Sequence, residues 1–188
     1  MSNVSQNTEQ ELLQSCCKGN RQAQFRLYQL FSKKMMAVCL RYAKSVPEAE
    51  DIVQEGFIKV FQHIQNFKGE SKLETWITRI MVNTALNSNR RKMYLFPMVD
   101  VSDIQTPIQD NVLQDLSFES LLKLIQGLPT GCQVVFNLYA IEGYTHQEIA
   151  ELLNISEGTS KSQYARAKEL LKKQIKAESE NLKYGKRG

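Results

Sequence analysis

Apolar side chains recur every three or four residues over almost the whole chain outside residues 93–117, which is the spacing of one buried helix face. The clearest stretch is residues 48–66, with Ile52, Val53, Phe57 and Val60 on one side. No segment alternates apolar and polar residues, and no Asn-Gly or Asp-Gly hairpin turn occurs. The pattern therefore predicts an all-α protein.

Helix-start signals precede several of these periodic runs. The segments Ser71–Glu74, Thr130–Gln133 and Thr145–Glu148 match the capping box, in which the first side chain accepts from a backbone N–H and the fourth reciprocates. Pro47 stands just before another run, where its missing N–H costs nothing. These four positions are predicted helix starts.

Residues 93–117 lack helical periodicity and contain Pro97 and Pro107. Four aspartates and no basic residue lie in this stretch, which predicts an extended, flexible acidic linker. The linker divides the chain into an N-terminal helical domain, residues 8–92, and a smaller C-terminal helical domain, residues 118–176.

Charge is distributed in blocks along the 188 residues, although the net charge is only +4. Residues 18–92 carry 14 basic and 6 acidic side chains, whereas residues 119–175 carry six of each. A basic module beside an acidic connector indicates that one part of the chain binds a polyanion.

The C-terminal domain has the layout of a helix-turn-helix. Ile149, Ala150 and Leu153 form an apolar stripe, residues 154–156 form a tight turn, and Ser156 is a predicted cap of a second helix. In this motif the second helix enters the major groove by its N-terminal end. Polar side chains are predicted on its outer face: Glu157, Thr159, Ser160, Lys161, Ser162, Gln163 and Arg166.

One face of the helix predicted over residues 48–66 sets a single apolar side chain, Ile58, among Asp51, Gln54 and Glu55. From the residues alone, two interpretations stay open. The face is either a solvated acidic surface with one stray apolar residue, or a protein-docking surface with an apolar centre and a charged rim.

The helix predicted over residues 74–91 has an outward stripe that contains no carboxylate, a composition that favours nucleic-acid contact. The stripe consists of Arg79, Asn83, Leu86, Asn87 and Arg90, with Arg91 and Lys92 after it. The preceding loop, residues 67–73, is rich in small and polar groups and begins with an aromatic ring, which is suited to an unstacked base. Trp76 belongs to the inward stripe and is predicted to be a core residue.

Sequence motifs for catalysis are missing: there is no phosphate-binding glycine loop, no nucleophile elbow and no zinc-protease helix. His63 and His146 lie in different domains without a ligand-spaced partner, so no metal or other cofactor is expected. Four cysteines without a C-x-x-C pair predict free thiols. The longest strictly apolar run is residues 35–40 and no secretory signal is present, so we expect a cytoplasmic protein that is not an enzyme and does not insert stably into a membrane.

Taken together, the chain resembles the extracytoplasmic-function (ECF) sigma factors of bacterial RNA polymerase, in particular those of Bacteroidetes. The resemblance is carried by five segments: Pro47–Phe61, Phe67–Ile77, Asn83 with Arg90 and Arg91, Leu128 with Pro129, and Tyr144–Thr159. It implies a sigma region 2-like helical bundle followed by a sigma region 4-like helix-turn-helix. Its partners would be core RNA polymerase, through the clamp and the flap, and promoter DNA, both double- and single-stranded.

The resemblance also assigns roles to residues. It gives core polymerase binding to Asp51, Gln54, Glu55 and Ile58. It gives capture of the melted minus-ten element to Lys68, Ser71, Lys72, Arg79, Asn83, Asn87, Arg90 and Arg91. It gives minus-thirty-five recognition to Thr145, Ser156, Glu157, Thr159, Ser160, Lys161, Gln163 and Arg166.

Two further interpretations accompany the resemblance. An anti-sigma factor is a partner that it allows. The alternative function is a stand-alone helix-turn-helix regulator, which would account for residues 130–173 but leave the Asp51–Ile58 face without a partner.

Overall fold

A computed structural model describes the backbone of residues 2–95 and 118–184 and the side chains of residues 9–89 and 119–177. Within these ranges the chain is helical and contains no strand, so the predicted all-α class is confirmed. The helices are α1 (Ser2–Cys17), α2 (Arg21–Leu40), α3 (Val46–His63), α4 (Leu73–Leu95), α5 (Phe118–Gln126), α6 (Thr130–Phe136), α7 (His146–Leu153) and α8 (Glu157–Tyr184). A 3₁₀ turn, Ile64–Asn66, follows α3, and a π-helical turn, Asn137–Ile141, follows α6.

The chain forms two compact units, residues 1–88 and residues 89–188. In the first unit α2 packs along both α1 and α3. Asn20 caps α2, because its side-chain oxygen accepts from the N–H groups of Gln22 and Ala23 at 2.9 and 3.1 Å. Ser45 caps α3 in the same way, and Pro47 lies in the first turn as predicted.

Gly56 lets α4 approach α3 closely. A Cβ atom at this position would overlap the Sδ atom of Met81, which is completely buried. The hydroxyl of Thr84 also lies 3.3 Å from the Nζ atom of Lys59 on α3. Both contacts hold the outward face of α4 in a fixed orientation relative to α3.

The core of the second unit lies between α5, α6 and α8. Its buried members are Leu124, Leu128, Cys132, Ala167, Leu171 and Ile175, with Phe136 and Leu170 packed against them. This apolar layer supports the helix-turn-helix formed by α7 and α8.

The four cysteines are free thiols, as predicted, and three of them are buried. Burial raises the pKa of Cys39 to about 12, so this thiol stays protonated at neutral pH. Cys39 therefore acts as a small packing residue.

Several predicted boundaries were wrong. The Lys72 carbonyl accepts from the Trp76 N–H at 3.1 Å, so Lys72 is the N-cap. Ser71 lies two residues before the first helical residue, Leu73, and forms no capping box. At α6 the N-cap is Pro129, and Thr130 makes no cap bond. α4 continues to Leu95, inside the predicted linker, and the rest of that linker lies outside the described residues.

Candidate functional site

The polar face of α3 is exposed along its length, and its four predicted docking residues all lie on it: Asp51, Gln54, Glu55 and Ile58. Ile58 has 58% of its surface exposed, which is high for a large apolar side chain. Glu55 forms an ion pair with Lys59, with 2.7 Å between Oε1 and Nζ. The opposite face of α3 is buried, so its rotational setting is fixed and Ile58 cannot turn inward.

Apolar side chains on α2 contact the buried side of α3, which the sequence pattern did not reveal. The ring of Tyr28 contacts the ring of Phe57 edge-on, with 4.8 Å between centroids, and Phe57 lies 6.0 Å from Phe61. Phe25, one turn before Tyr28, is 61% exposed. The signal that would have found them is the aromatic pair at residues 25 and 28, three positions apart.

The outward stripe of α4 is present over the described side chains. Arg79, Asn83 and Asn87 are all exposed and lie four residues apart, on one side of the helix. Leu86 was wrongly placed in this stripe, since it is buried and packs inward. The side chains of Arg90 and Arg91 lie outside the described residues.

The loop before α4 is polar and open. Lys68 and Lys72 are exposed and Ser71 is half-buried, its hydroxyl donating to the Lys72 carbonyl at 3.4 Å. The ring of Phe67 at the start of the loop lies 5.5 Å from that of Trp76. Trp76 is half-buried, so its ring lies between the core and this loop.

The capping box predicted at the start of α7 is confirmed. The Thr145 hydroxyl oxygen accepts from the Glu148 N–H at 3.2 Å, and the Thr145 N–H donates to Glu148 Oε2 at 2.7 Å. Bonds from the Thr145 backbone and hydroxyl lower the pKa of Glu148 below its usual 4.5. At neutral pH the carboxylate therefore holds Thr145 at the helix start.

The turn between α7 and α8 is also as predicted. Asn154 adopts the left-handed conformation, with φ 55° and ψ 52°. Ser156 caps α8, since its Oγ atom accepts from the Thr159 N–H at 2.9 Å. These two residues fix the angle at which α8 leaves α7.

The first two turns of α8 divide their polar residues between solvent and core. Glu157 and Lys161 are exposed and form an ion pair, with 2.7 Å between Oε1 and Nζ, and this bond lowers the pKa of Glu157. Ser160 and Gln163 were wrongly placed on the outer face. Ser160 is fully buried and Gln163 is 5% exposed, so both side chains face the interior of the unit.

Each of the two buried side chains has a partner on another helix. The Ser160 hydroxyl lies 2.9 Å from Nδ1 of His146, the first residue of α7. The Oε1 atom of Gln163 accepts from the thiol of Cys132 on α6 at 3.0 Å. The sequence pattern assigned polar residues to solvent and therefore missed both contacts.

No group of three or more His, Cys, Asp or Glu side chains that could hold a metal ion occurs among the described residues. In the same part of the chain, no helix combines the length and the apolarity needed to cross a membrane.

Two family models match the chain: sigma-70 region 2 over residues 27–93, and sigma-70 region 4 over residues 118–171. The sigma-H factor of RNA polymerase from Pseudomonas aeruginosa is 28% identical over 92% of this chain and 96% of its own. The ECF RNA polymerase sigma-E factor from Haemophilus influenzae is 29% identical, over 92% and 97%. The chain belongs to the ECF group of the sigma-70 family. It is a sigma factor, so it binds core RNA polymerase, directs it to promoters and promotes promoter melting.

A solved structure shares the fold. The sigma factor RpoE from Bartonella quintana, in complex with the anti-sigma factor NepR, superposes with a TM-score of 0.50 and 19% identity over 80% of this chain and 95% of that one. The region 2 match accounts for the N-terminal helices, which a stand-alone helix-turn-helix regulator would not explain.

Proposed function

We propose that this sigma factor binds polymerase, the minus-ten strand and the minus-thirty-five duplex through three surfaces, each on a different helix. The exposed face of α3 docks on the polymerase clamp, the stripe of α4 and its preceding loop hold the melted minus-ten strand, and the start of α8 reads the minus-thirty-five duplex. The observation that carries the proposal is the exposed Ile58 within the acidic face of α3. A large apolar side chain among carboxylates fits a protein contact better than solvent.

The α4 surface fits single-stranded DNA. Exposed Arg79, Asn83 and Asn87 offer a guanidinium and two amides without a carboxylate between them, and Lys68 and Lys72 add positive charge at the loop. Ser71 lies in the same loop, and Arg90 and Arg91 extend the basic sequence beyond Asn87. A base that has left the stack is accessible to such amides and to the loop.

The α8 surface fits duplex DNA. With Ser160 and Gln163 turned inward, the residues left to meet the groove are Thr145, Ser156, Glu157, Thr159, Lys161 and Arg166. Lys161 is the long exposed donor in the first turns and is suited to a base edge or phosphate. We infer that the flap contacts this same unit.

We infer that the chain acts by binding and not by catalysis, and that it works in the cytoplasm beside the polymerase. An anti-sigma factor is a further proposed partner. Its support is that RpoE from Bartonella quintana, which shares the fold, was solved bound to an anti-sigma factor.

The proposal is tested at the clamp-docking face with the double variant Asp51→Arg and Ile58→Ala. A hot-spot side chain at a protein contact commonly contributes about 2 kcal/mol or more, so the pair should abolish binding to core polymerase. The matched control is Glu11→Arg, which reverses an exposed acid on α1. Binding is measured by titration of labelled protein with core enzyme, and circular dichroism checks the fold. Wild-type affinity of the double variant would refute the assignment.

A further inference from the structure

Three aromatic rings from three successive elements meet where α8 packs on α7. The His146 ring of α7 stacks on Tyr139 of the π-helical turn, with 4.2 Å between centroids and 13° between planes. Tyr164 of α8 lies 4.5 Å from Tyr139 and 5.8 Å from His146. The imidazole is therefore held in one place by packing on two sides.

The position of the His146 ring determines where the Ser160 hydroxyl finds a hydrogen-bond partner. Ser160 is completely buried in the first turns of α8, and a buried hydroxyl needs a partner. That partner is His146 Nδ1 at 2.9 Å. The contact joins the first residue of α7 to α8 across 14 residues of sequence, at the end of α8 that enters the groove.

The neighbouring position in α8 faces outward. Lys161 follows Ser160 directly, so a rotation of the helix that exposed Ser160 would also displace Lys161 from its present place. The contact thus constrains the direction in which the Lys161 side chain points, although the Ser160 side chain itself is buried.

We propose that His146 and Ser160 are a positioning pair for promoter recognition, which sets the rotation of α8 so that Lys161 meets the minus-thirty-five element. This inference rests on the proposed role of α8. It adds a positioning function to His146, which is half-buried, and to Ser160, which is buried.

Charged groups around the ring favour its neutral form. Burial lowers the pKa of His146 below its usual 6.5, Lys161 and Lys168 of α8 lower it further, and Glu157 opposes them. The other rings that face it are those of Tyr139 on the π-helical turn and Tyr164 on α8. Because the folded pKa is depressed, the stabilisation is complete above the ordinary value and is lost as the pH falls through the folded value. Acidification should therefore destabilise the packing of this ring, whereas the hydrogen bond itself can persist, because the Ser160 hydroxyl can accept from a protonated ring as well as donate to a neutral one.

The test uses holoenzyme reconstituted from the full chain and core polymerase. It measures transcription from a pool of promoters with a randomised upstream element and a constant minus-ten element. His146→Ala and Ser160→Ala should each reduce upstream preference about fivefold, the effect of losing one hydrogen bond. The double variant should lose no more than either single variant, because both remove the same contact. His146→Gln, which keeps a polar planar group, should restore part of the preference.

Ser162→Ala is the matched control, since that hydroxyl bonds only within its own helix, to the Thr159 carbonyl at 3.0 Å. It should leave the upstream preference unchanged.

Additive losses in the double variant, or a lower melting temperature with unchanged preference, would overturn the positioning role. Lys161→Ala separates this from the underlying proposal. If it leaves the upstream preference unchanged, α8 does not read the element and the proposed function is wrong there. If it alters the preference while His146→Ala and Ser160→Ala do not, only the positioning role is wrong. Should His146→Ala fail to fold, Ser160→Ala against Ser162→Ala decides the question.

Discussion

Gly56 is required where α3 and α4 approach each other. A methyl group there would overlap the Sδ atom of Met81, so this buried side chain would have to shift. Overpacking of this kind typically costs about 1–3 kcal/mol. We expect Gly56→Ala to lower the free energy of unfolding of the first unit by this amount, which is measured as a lower urea midpoint.

The control for this prediction is a compensating change at the same contact. Met81→Val in the Gly56→Ala background shortens the opposing side chain, so it should recover part of the lost stability. If Gly56→Ala alone matched or exceeded the wild-type midpoint, the close approach of α3 and α4 would be wrong.

Trp76 forms the wall between the core and the loop proposed to hold the melted strand. Its ring packs on Phe67, and part of its surface is exposed. Replacing a completely buried aromatic residue with alanine lowers the free energy of unfolding by about 3–5 kcal/mol, so replacing a half-buried one should lower it by less. We expect Trp76→Ala to lower the melting temperature together with promoter melting, and Trp76→Phe to restore most of both. Unchanged stability with failed open-complex formation would identify Trp76 as a base-stacking residue instead.

Individual side chains were predicted well where polarity and exposure coincide. Asp51 and Ile58 lie on an exposed face because the apolar stripe of α3 fixes the rotation of that helix. Ser160 and Gln163 were misplaced because the helical pattern treats a polar residue as a solvent-facing one. A buried polar side chain is stable when a partner is available, and His146 and Cys132 come from other helices whose approach no periodicity predicts.

The start of α7 rests on Thr145 and Glu148. Removing a threonine cap costs about 1 kcal/mol, so Thr145→Ala should destabilise the second unit at neutral pH. Thr145→Ser keeps the oxygen and should behave as wild type. The measurement is urea unfolding of the full chain followed by circular dichroism.

The same cap predicts a pH dependence. Glu148 has a lowered pKa in the folded state, so its contribution is complete above the ordinary value of 4.5 and is lost as the pH falls through the folded value. The difference between wild type and Thr145→Ala should therefore shrink between pH 7 and pH 3. A constant difference over this range would mean that the Glu148 carboxylate takes no part in the cap.

The sequence predicted which segments are helical, but it predicted only some of the residues at which the helices begin. The capping motif at Thr145 is real, whereas the matches at Ser71 and Thr130 are coincidental. The motif needs the first residue to leave the helix in an extended conformation, as Thr145 does with φ −72° and ψ 159°. At Thr130 the extended residue is Pro129, with ψ 145°, which moves the start by one position.

The charge blocks of the whole chain agree with the division into two units. The basic block, residues 18–92, overlaps the match to region 2 over residues 27–93, and the balanced block overlaps the match to region 4. Composition therefore distinguishes the two units and supports the nucleic-acid surface proposed on the first. It carries no information on geometry, which explains why Leu86 was assigned to the basic stripe although it packs inward.

The basic block also predicts how promoter binding depends on salt. Each phosphate neutralised by a lysine or arginine releases bound counterions, so removing one such contact should reduce the slope of log affinity against log salt by about 1. Arg79 is exposed on the α4 stripe, and we expect Arg79→Ala to weaken holoenzyme binding about equally across minus-ten sequences. We expect the same of Arg90→Ala and Arg91→Ala.

Lys33 provides the control for the salt measurement. It is an exposed basic residue, and it belongs to α2, whereas the stripe belongs to α4. Lys33→Ala removes the same charge, so any effect of net charge alone would appear in both variants. Binding to a melted-bubble promoter is measured over a series of salt concentrations. A slope that falls only in Arg79→Ala supports phosphate contact by α4. Equal slopes in both variants would mean that the basic block acts through its overall field, and a loss limited to certain minus-ten sequences would mean that Arg79 reads a base.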